Sequence, residues 1–237
     1  SEMCIRDRDP NRVYDQIFID GTYTDAGCLL VAASYDHVIA WHWARTESTH
    51  AYTQLLRGIA QPLCVVLDGG QGAYSAIKAC WPKTMIQRCL VHAQRVIRRY
   101  TTSRPRTDAG KAIYALALKL TKITTLDQAR QWTIRLHEFG VVYKDFLNEK
   151  TPVPKERRTP SHQWEFTHIR VRKAYNSLLH LSRNNWLFAY LQPPPEALEP
   201  ARWAATTNSL EGGVNAQLKR IADAPVSYTH LTLPTTP

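Results

Sequence analysis

Apolar and polar positions along the chain change their period twice. Three short apolar runs come first: Gln16-Ile17-Phe18-Ile19-Asp20, extended by Thr22 and Tyr23, then 28–34, then 38–43. Turn-like residues at 24–27 and 35–37 separate them, which predicts an antiparallel meander of three strands. Over 46–60 the spacing becomes helical, with Tyr52, Leu55, Leu56 and Ile59 on one face and Ser48 or Thr46 as candidate N-caps. Pro62-Leu63-Cys64-Val65-Val66-Leu67 is an unbroken apolar run, the pattern of a strand buried on both faces, and it ends on Asp68-Gly69-Gly70-Gln71-Gly72. A short helix at 73–80, a strand at 84–87 and a basic helix from Arg88 onward follow. The order β-β-β-α-β-α-β-α predicts an α/β sheet in which three antiparallel strands lead into parallel ones.

Beyond Tyr100 the strand pattern stops. A polar linker at 101–106 precedes three groups of helically spaced apolar residues. These are Ile113, Leu116 and Leu120; then Trp132, Leu136 and Phe139; then Tyr175, Leu178, Leu179 and Leu181. The stretch 150–160 is too proline-rich for regular structure, and Gln192-Pro193-Pro194-Pro195 makes a second break. An all-helical insertion is expected over 105–200, flanked by a sheet domain at 9–104 and a final helix at 201–225 that begins near Thr206.

Both ends stand apart from this pattern. Residues 2–8 back-translate to GAG ATG TGT ATA AGA GAC AG, and the core of that string is the reverse complement of the codons for 226–231. Residues 1–8 and 226–237 therefore resemble adaptor ends from sequencing-library preparation and are set aside from fold reasoning. The native part is expected to be a fragment, open at both ends.

Composition narrows the function. The net charge of +10 survives the trimming, and with a pI near 9.5 it favours a polyanionic partner, nucleic acid ahead of membrane. No apolar run approaches the roughly 18 residues of a membrane span, and no signal peptide is visible. Cys28, Cys64, Cys80 and Cys89 form no disulfide framework, which reads as a reduced, cytoplasmic protein.

Three acids are candidates for chemistry. Asp20 ends the first strand, Asp68 the first parallel strand, and Glu211 lies in the first turn of the late helix. In a ribonuclease-H-like sheet the first and fourth strands are neighbours, which would bring Asp20 and Asp68 together. Three converging carboxylates need cations, and two divalent ions roughly 4 Å apart would neutralise them. Magnesium suits an all-oxygen set. Bland readings stand beside this one. Asn208 and Glu211 also fit a capping box, and Asp20 before Gly21 also fits a turn. Asp15, Asp25, Asp36 and Glu47 are rival acids, but none ends a buried strand.

Four motifs occur in order: Asp20-Gly21-Thr22; Leu67-Asp68-Gly69-Gly70-Gln71-Gly72-Ala73-Tyr74; Gln87-Arg88-Cys89-Leu90-Val91-His92; and Thr206-Thr207-Asn208-Ser209-Leu210-Glu211-Gly212-Gly213-Val214-Asn215. Together they resemble the Mutator-type transposases of bacterial insertion sequences, over about 15–220. The resemblance implies a ribonuclease-H-like catalytic domain with a helical insertion and Asp20, Asp68 and Glu211 as a DDE triad. It also implies two Mg²⁺ (or Mn²⁺) ions and DNA, both transposon ends and target, as partner. A homodimer on paired ends and a nucleoid-associated place in the cytoplasm follow as expectations. The activity implied is strand cleavage at transposon ends followed by transfer of the 3′-hydroxyl. The family's N-terminal DNA-binding region would lie upstream. The rival readings are a ribonuclease-H-like nuclease without strand transfer and a truncated DNA-binding remnant without activity.

Further residues bear on DNA. Arg88, His92, Arg95 and Arg99 fall at helical spacing on one face and are the expected phosphate track, against the alternative of a solvated face. Lys155, Arg157, Arg158, Arg170, Arg172 and Lys173 form a second basic group around Trp164, which reads as a core residue or a base-stacking one. Trp41 and Trp43 share a strand face and read as core or domain-contact residues. Cys89-x-x-His92 has the spacing of half a zinc site, but no second pair follows, and His162, His168 and His180 are too scattered to complete it. Packing, or positioning of a DNA strand, is the expected role of that pair.

Overall fold

The computed structural model describes residues 11–25 and 27–207. The meander forms as expected: β1 (Gln16–Thr24), β2 (Gly27–Ala33) and β3 (Val38–Ala44) pair antiparallel, with Asp20 opposite Val31 and Val31 opposite Trp41. On the other side of β1 lie β4 (Cys64–Leu67) and β5 (Met85–Arg88), both parallel, in the sheet order β3-β2-β1-β4-β5. All four residues of β4 are buried, as an all-apolar run in mid-sheet requires.

Strand alternation sorts the core into two layers. Ile17, Ile19, Leu30, Ala32, Val65 and Leu67 face α1 (Thr49–Leu56) and α2 (Gln71–Cys80), which supply Tyr52, Leu55, Leu56, Ala73, Ala76 and Ile77. Ser48, not Thr46, caps α1, its hydroxyl accepting from the Ala51 amide at 3.1 Å. The opposite face is thinner, with Phe18, Val31, Ala33, Val66 and Cys89 packed against Ala204 and Tyr35. Trp41 and Trp43 lie toward its open edge at 57% and 42% exposure, so they are not core residues.

The basic helix α3 (Leu90–Thr101) begins two residues later than the charge pattern suggests, which leaves Arg88 at the end of β5. It packs with α4 (Asp108–Lys119), α5 (Leu126–Val142) and α7 (Ile169–Arg183) around Ile97, Ile113, Trp132, Leu136 and Leu178. The short α6 (Lys144–Asn148) follows α5. The block is not all-helical. The stretch read as irregular contributes β6 (Lys150–Pro152), which pairs with β7 (Trp164–Phe166) in a two-stranded ribbon. Each strand there has a single neighbour, so Pro152 sits on an edge that tolerates its missing N–H. Trp164 lies on β7 and is 58% exposed.

From 184 to 207 the chain returns over the sheet as a strap. The buried side chain of Gln87 holds its first part, donating to Leu187 O at 2.9 Å and accepting from Tyr190 N at 3.2 Å. Glu199 N reaches Asp15, and Arg202 pairs with Asp36 at 2.9 Å. Gln16, also buried, grips Ala204 at both ends of its amide, 2.9 Å to the carbonyl and 2.8 Å from the N–H. Among the described residues no helix is long and apolar enough to cross a membrane.

Candidate functional site

The site lies where β1 and β4 run side by side. Ile19 is in register with Leu67, so the next residue of each strand, Asp20 and Asp68, follows a paired position. Neighbouring strands are about 4.8 Å apart, which sets the spacing of the two backbones there. Asp20 is buried in the continuing strand, and one of its oxygens accepts from the Gly21 amide at 3.0 Å. Asp68 is half-buried just past β4 and accepts from Gly70 N at 3.3 Å, which fixes the turn into α2. The sequence-predicted pair is therefore brought together, with oxygen donors only. Glu211, the third predicted acid, lies outside the described residues. Among the described residues no group of three His, Cys, Asp or Glu side chains is arranged to hold a metal ion.

Glu47 was set aside on sequence because it precedes a helix and ends no strand. Its carboxylate in fact leans over both acid loops. A Cβ added at Gly21 would come 2.5 Å from its Oε1, and one at Gly70 3.5 Å from its Oε2. The Tyr52 hydroxyl donates to it at 3.0 Å and the Cys28 thiol at 3.9 Å. Burial raises the Glu47 carboxyl above its ordinary value and the Asp68 charge adds to this, while the Tyr52 and Cys28 bonds oppose them. The Cys28 thiol is pushed up to about 12, by burial first and then by Glu47. One signal pointed to Glu47: an acid next to the Ser48 cap, immediately after a strand, starts its helix against the same sheet end.

Arg88 closes the other side. Gly69 has φ +97°, and a Cβ there would coincide with the Arg88 guanidinium. Burial lowers the Arg88 pKa and Asp68 opposes that effect, while Nη1 is buried with no hydrogen-bond partner among the described residues. Arg88 thus lies beside Asp68 and not on the helical stripe, whose remaining members are His92, Arg95 and Arg99. Arg95 and Arg99 are exposed, and Arg95 Nη1 lies 3.3 Å from His92 Nε2.

Half of the second basic group is occupied in holding the helical block together. Arg158 donates twice to Val153 O, Arg170 donates to Arg99 O and Tyr100 O, and Arg172 donates to Leu147 O. Cys89 is buried at the N-cap position of α3, where its side chain makes no capping bond to the helix. Burial would raise its thiol, but hydrogen bonds from His92 and Thr207 outweigh that and hold it below its ordinary value.

A net charge of +10, with arginines beside two carboxylates on adjacent strand ends, suits a polyanionic partner. Residues 30–140 match the model of the Mutator family of transposases. A segment of 74 residues is 32% identical to a protein of Corynebacterium diphtheriae described as a probable transposase for an insertion sequence element. That segment covers 30% of this chain and 22% of the relative, so the chain matches about a fifth of that relative's length.

Proposed function

We propose that this chain is the catalytic region of a DNA transposase with a ribonuclease-H-like core. It would cut DNA strands at transposon ends and join the freed 3′-hydroxyl to target DNA. The observation that carries the reading is the parallel pairing of β1 with β4, with Asp20 and Asp68 each following the register pair Ile19–Leu67. The Mutator-family match and the net charge of +10 support it.

The all-oxygen donor set fits Mg²⁺ or Mn²⁺, with Asp20 and Asp68 holding the ions and Glu211 completing the set. Bound there, two ions would activate the attacking oxygen and stabilise the leaving one. The protein's own groups do the rest. Gly70 N orients Asp68. Arg88, close behind the Gly69 turn, balances part of the acid charge. Arg95 and Arg99 on the exposed face of α3 offer a track for phosphates. A homodimer on paired transposon ends and a nucleoid-associated location belong to the same proposal.

The test is calorimetric titration of Mn²⁺ into the chain and its Asp68→Asn variant, followed by cleavage and joining assays on DNA carrying the element's terminal repeats. Binding lost in the variant, together with end-dependent joining, is the expected result. Cleavage that ignores the terminal repeats would make the chain a plain nuclease. DNA binding without metal binding or cleavage would make it a remnant.

A further inference from the structure

Between Asp68 and Asp108 the chain carries eight Lys or Arg residues and no acid. Five of them, Arg95, Arg98, Arg99, Arg104 and Arg106, lie on α3 and the turn that follows it, and all five are exposed. A face that is merely solvated mixes both signs, because charge of one sign repels itself. A run of one sign this long points to a counter-charge from outside. The turn itself forms a cleft. Thr102, at φ +68°, reverses the chain after α3, and its hydroxyl accepts from Arg104 N at 3.3 Å. Thr102, Arg104, Arg106, Thr107, Arg170 and Val171 are among the residues lining a space of about 440 Å³, and no lining residue is acidic. Arg170 forms a wall, its guanidinium already donating to Arg99 O at 2.7 Å and Tyr100 O at 2.8 Å. The guanidinium groups of Arg104 and Arg106 have no carboxylate partner among the described residues. Asp108, the next acid along the chain, is answered by Lys111 at 3.0 Å.

We propose that this cleft is a phosphate seat, in which Arg104 and Arg106 grip the backbone of DNA at a distance from the acid pair. The grip itself follows from the charge and the cleft. Its place on the DNA rests on the transposase reading, which puts the cut at Asp20 and Asp68. The amide of Cys89, just ahead of α3, donates to Leu67 O at 2.9 Å, so the helix starts beside Asp68. Its 12 residues then span about 18 Å. One DNA strand advances about 3.4 Å per base pair, so the seat meets a phosphate about five base pairs from the cut. Arg95 and Arg99 lie between the two ends of α3, and such a line of contacts suits a continuous backbone better than a single small anion. Arginine forks match phosphate oxygens. The contact is to charge and not to bases, so the seat sets the register of the duplex without reading its sequence.

The experiment measures binding of the full chain, without added metal, to a duplex carrying the element's terminal repeat, by fluorescence anisotropy at several salt concentrations. The double variant Arg104→Ala/Arg106→Ala should lower the slope of log affinity against log salt by about two, one for each lost contact. Arg104→Lys/Arg106→Lys keeps the charge and should hold the slope. Arg170→Ala removes the same charge from the wall of the same cleft and should leave the slope unchanged, because that guanidinium is committed to the protein backbone. An unchanged slope in the double alanine variant overturns the seat, and so does a fall of about one in Arg170→Ala, which would make the effect one of net charge. The place on the DNA is read by replacing single phosphates with uncharged methylphosphonates. Wild type should lose affinity several-fold at about the fifth base pair from the cleavage site, and the double alanine variant should lose nothing further there. Interference confined to other positions overturns the spacing set by α3. If Mg²⁺ brings no cleavage at all, the transposase reading fails and the spacing with it, while the salt slopes still decide the seat.

Discussion

Replacing Gly69 with alanine tests the geometry around Asp68 without touching an acid. Two costs are separable. The backbone at φ +97° is one that a residue with a Cβ adopts at about 1–2 kcal/mol. The added methyl would also occupy the position of the Arg88 guanidinium, which must then leave a largely buried site. Disturbing a buried, charged hydrogen-bonding group costs about 1–3 kcal/mol. The sum is about 2–5 kcal/mol, a large part of the stability of a typical domain. Urea denaturation followed by circular dichroism measures it. Arg88→Ala separates the two parts, since Gly69→Ala made in that background retains only the backbone cost. The double-mutant cycle should then show a coupling of about 1–3 kcal/mol, the Arg88 part of the sum. A loss below about 0.5 kcal/mol for Gly69→Ala alone, or a coupling near zero, would refute the argument that Arg88 is packed against this turn.

Other perturbations follow from the same contacts. Glu47→Gln should stabilise the metal-free chain by up to about 0.5 kcal/mol at pH 7, a figure discounted because the group is partly solvated. The sign follows from its raised pKa: the wild-type carboxyl costs nothing below the unfolded value of 4.5 and loses stability as pH rises through the folded value, so the two melting curves should coincide near pH 4. Arg170→Ala removes bonds to two terminal carbonyls of α3 and should cost about 1 kcal/mol in thermal melts without changing the salt slope of DNA binding. Arg95→Ala should do the reverse, lowering that slope by about one in fluorescence titrations at several salt concentrations. Gln87→Leu strands Leu187 O and Tyr190 N and should cost about 2–4 kcal/mol in urea denaturation.

The sheet was legible because its signals were local. The apolar run before Asp68 and the turn residues between the first three strands each have one physical reading, which fixes the elements and their order along the chain. The adjacency of the first and fourth strands comes instead from the ribonuclease-H-like expectation. What escaped notice depended on contacts across long separations. Glu47 looks like a helix-start residue until α1 is docked on the sheet, when Gly21 and Gly70, distant in sequence, admit its carboxylate. Arg88 matched the spacing of a helical stripe, but the helix begins at Leu90, and only the missing Cβ of Gly69 reveals where its side chain goes. The ribbon of β6 and β7 was hidden by prolines that argue against a central strand but not against an edge. Trp41, Trp43 and Trp164 each carry a core reading beside another, domain contact for the first two and base stacking for the third. Their exposure removes the core one, since residue type says little about which sheet face is covered.

The grip of Gln16 on Ala204 has a consequence in time. The two residues are 188 positions apart, and Gln16 is buried in the earliest strand of the described residues. At a synthesis rate of about 5–20 residues per second, roughly 10–40 s pass between the emergence of that amide and of the carbonyl that satisfies it. During that interval Tyr35, whose hydroxyl reaches the same side chain at 2.8 Å, is the partner already at hand. Among the described residues, the strap is the last piece made that covers the thinner face of the sheet.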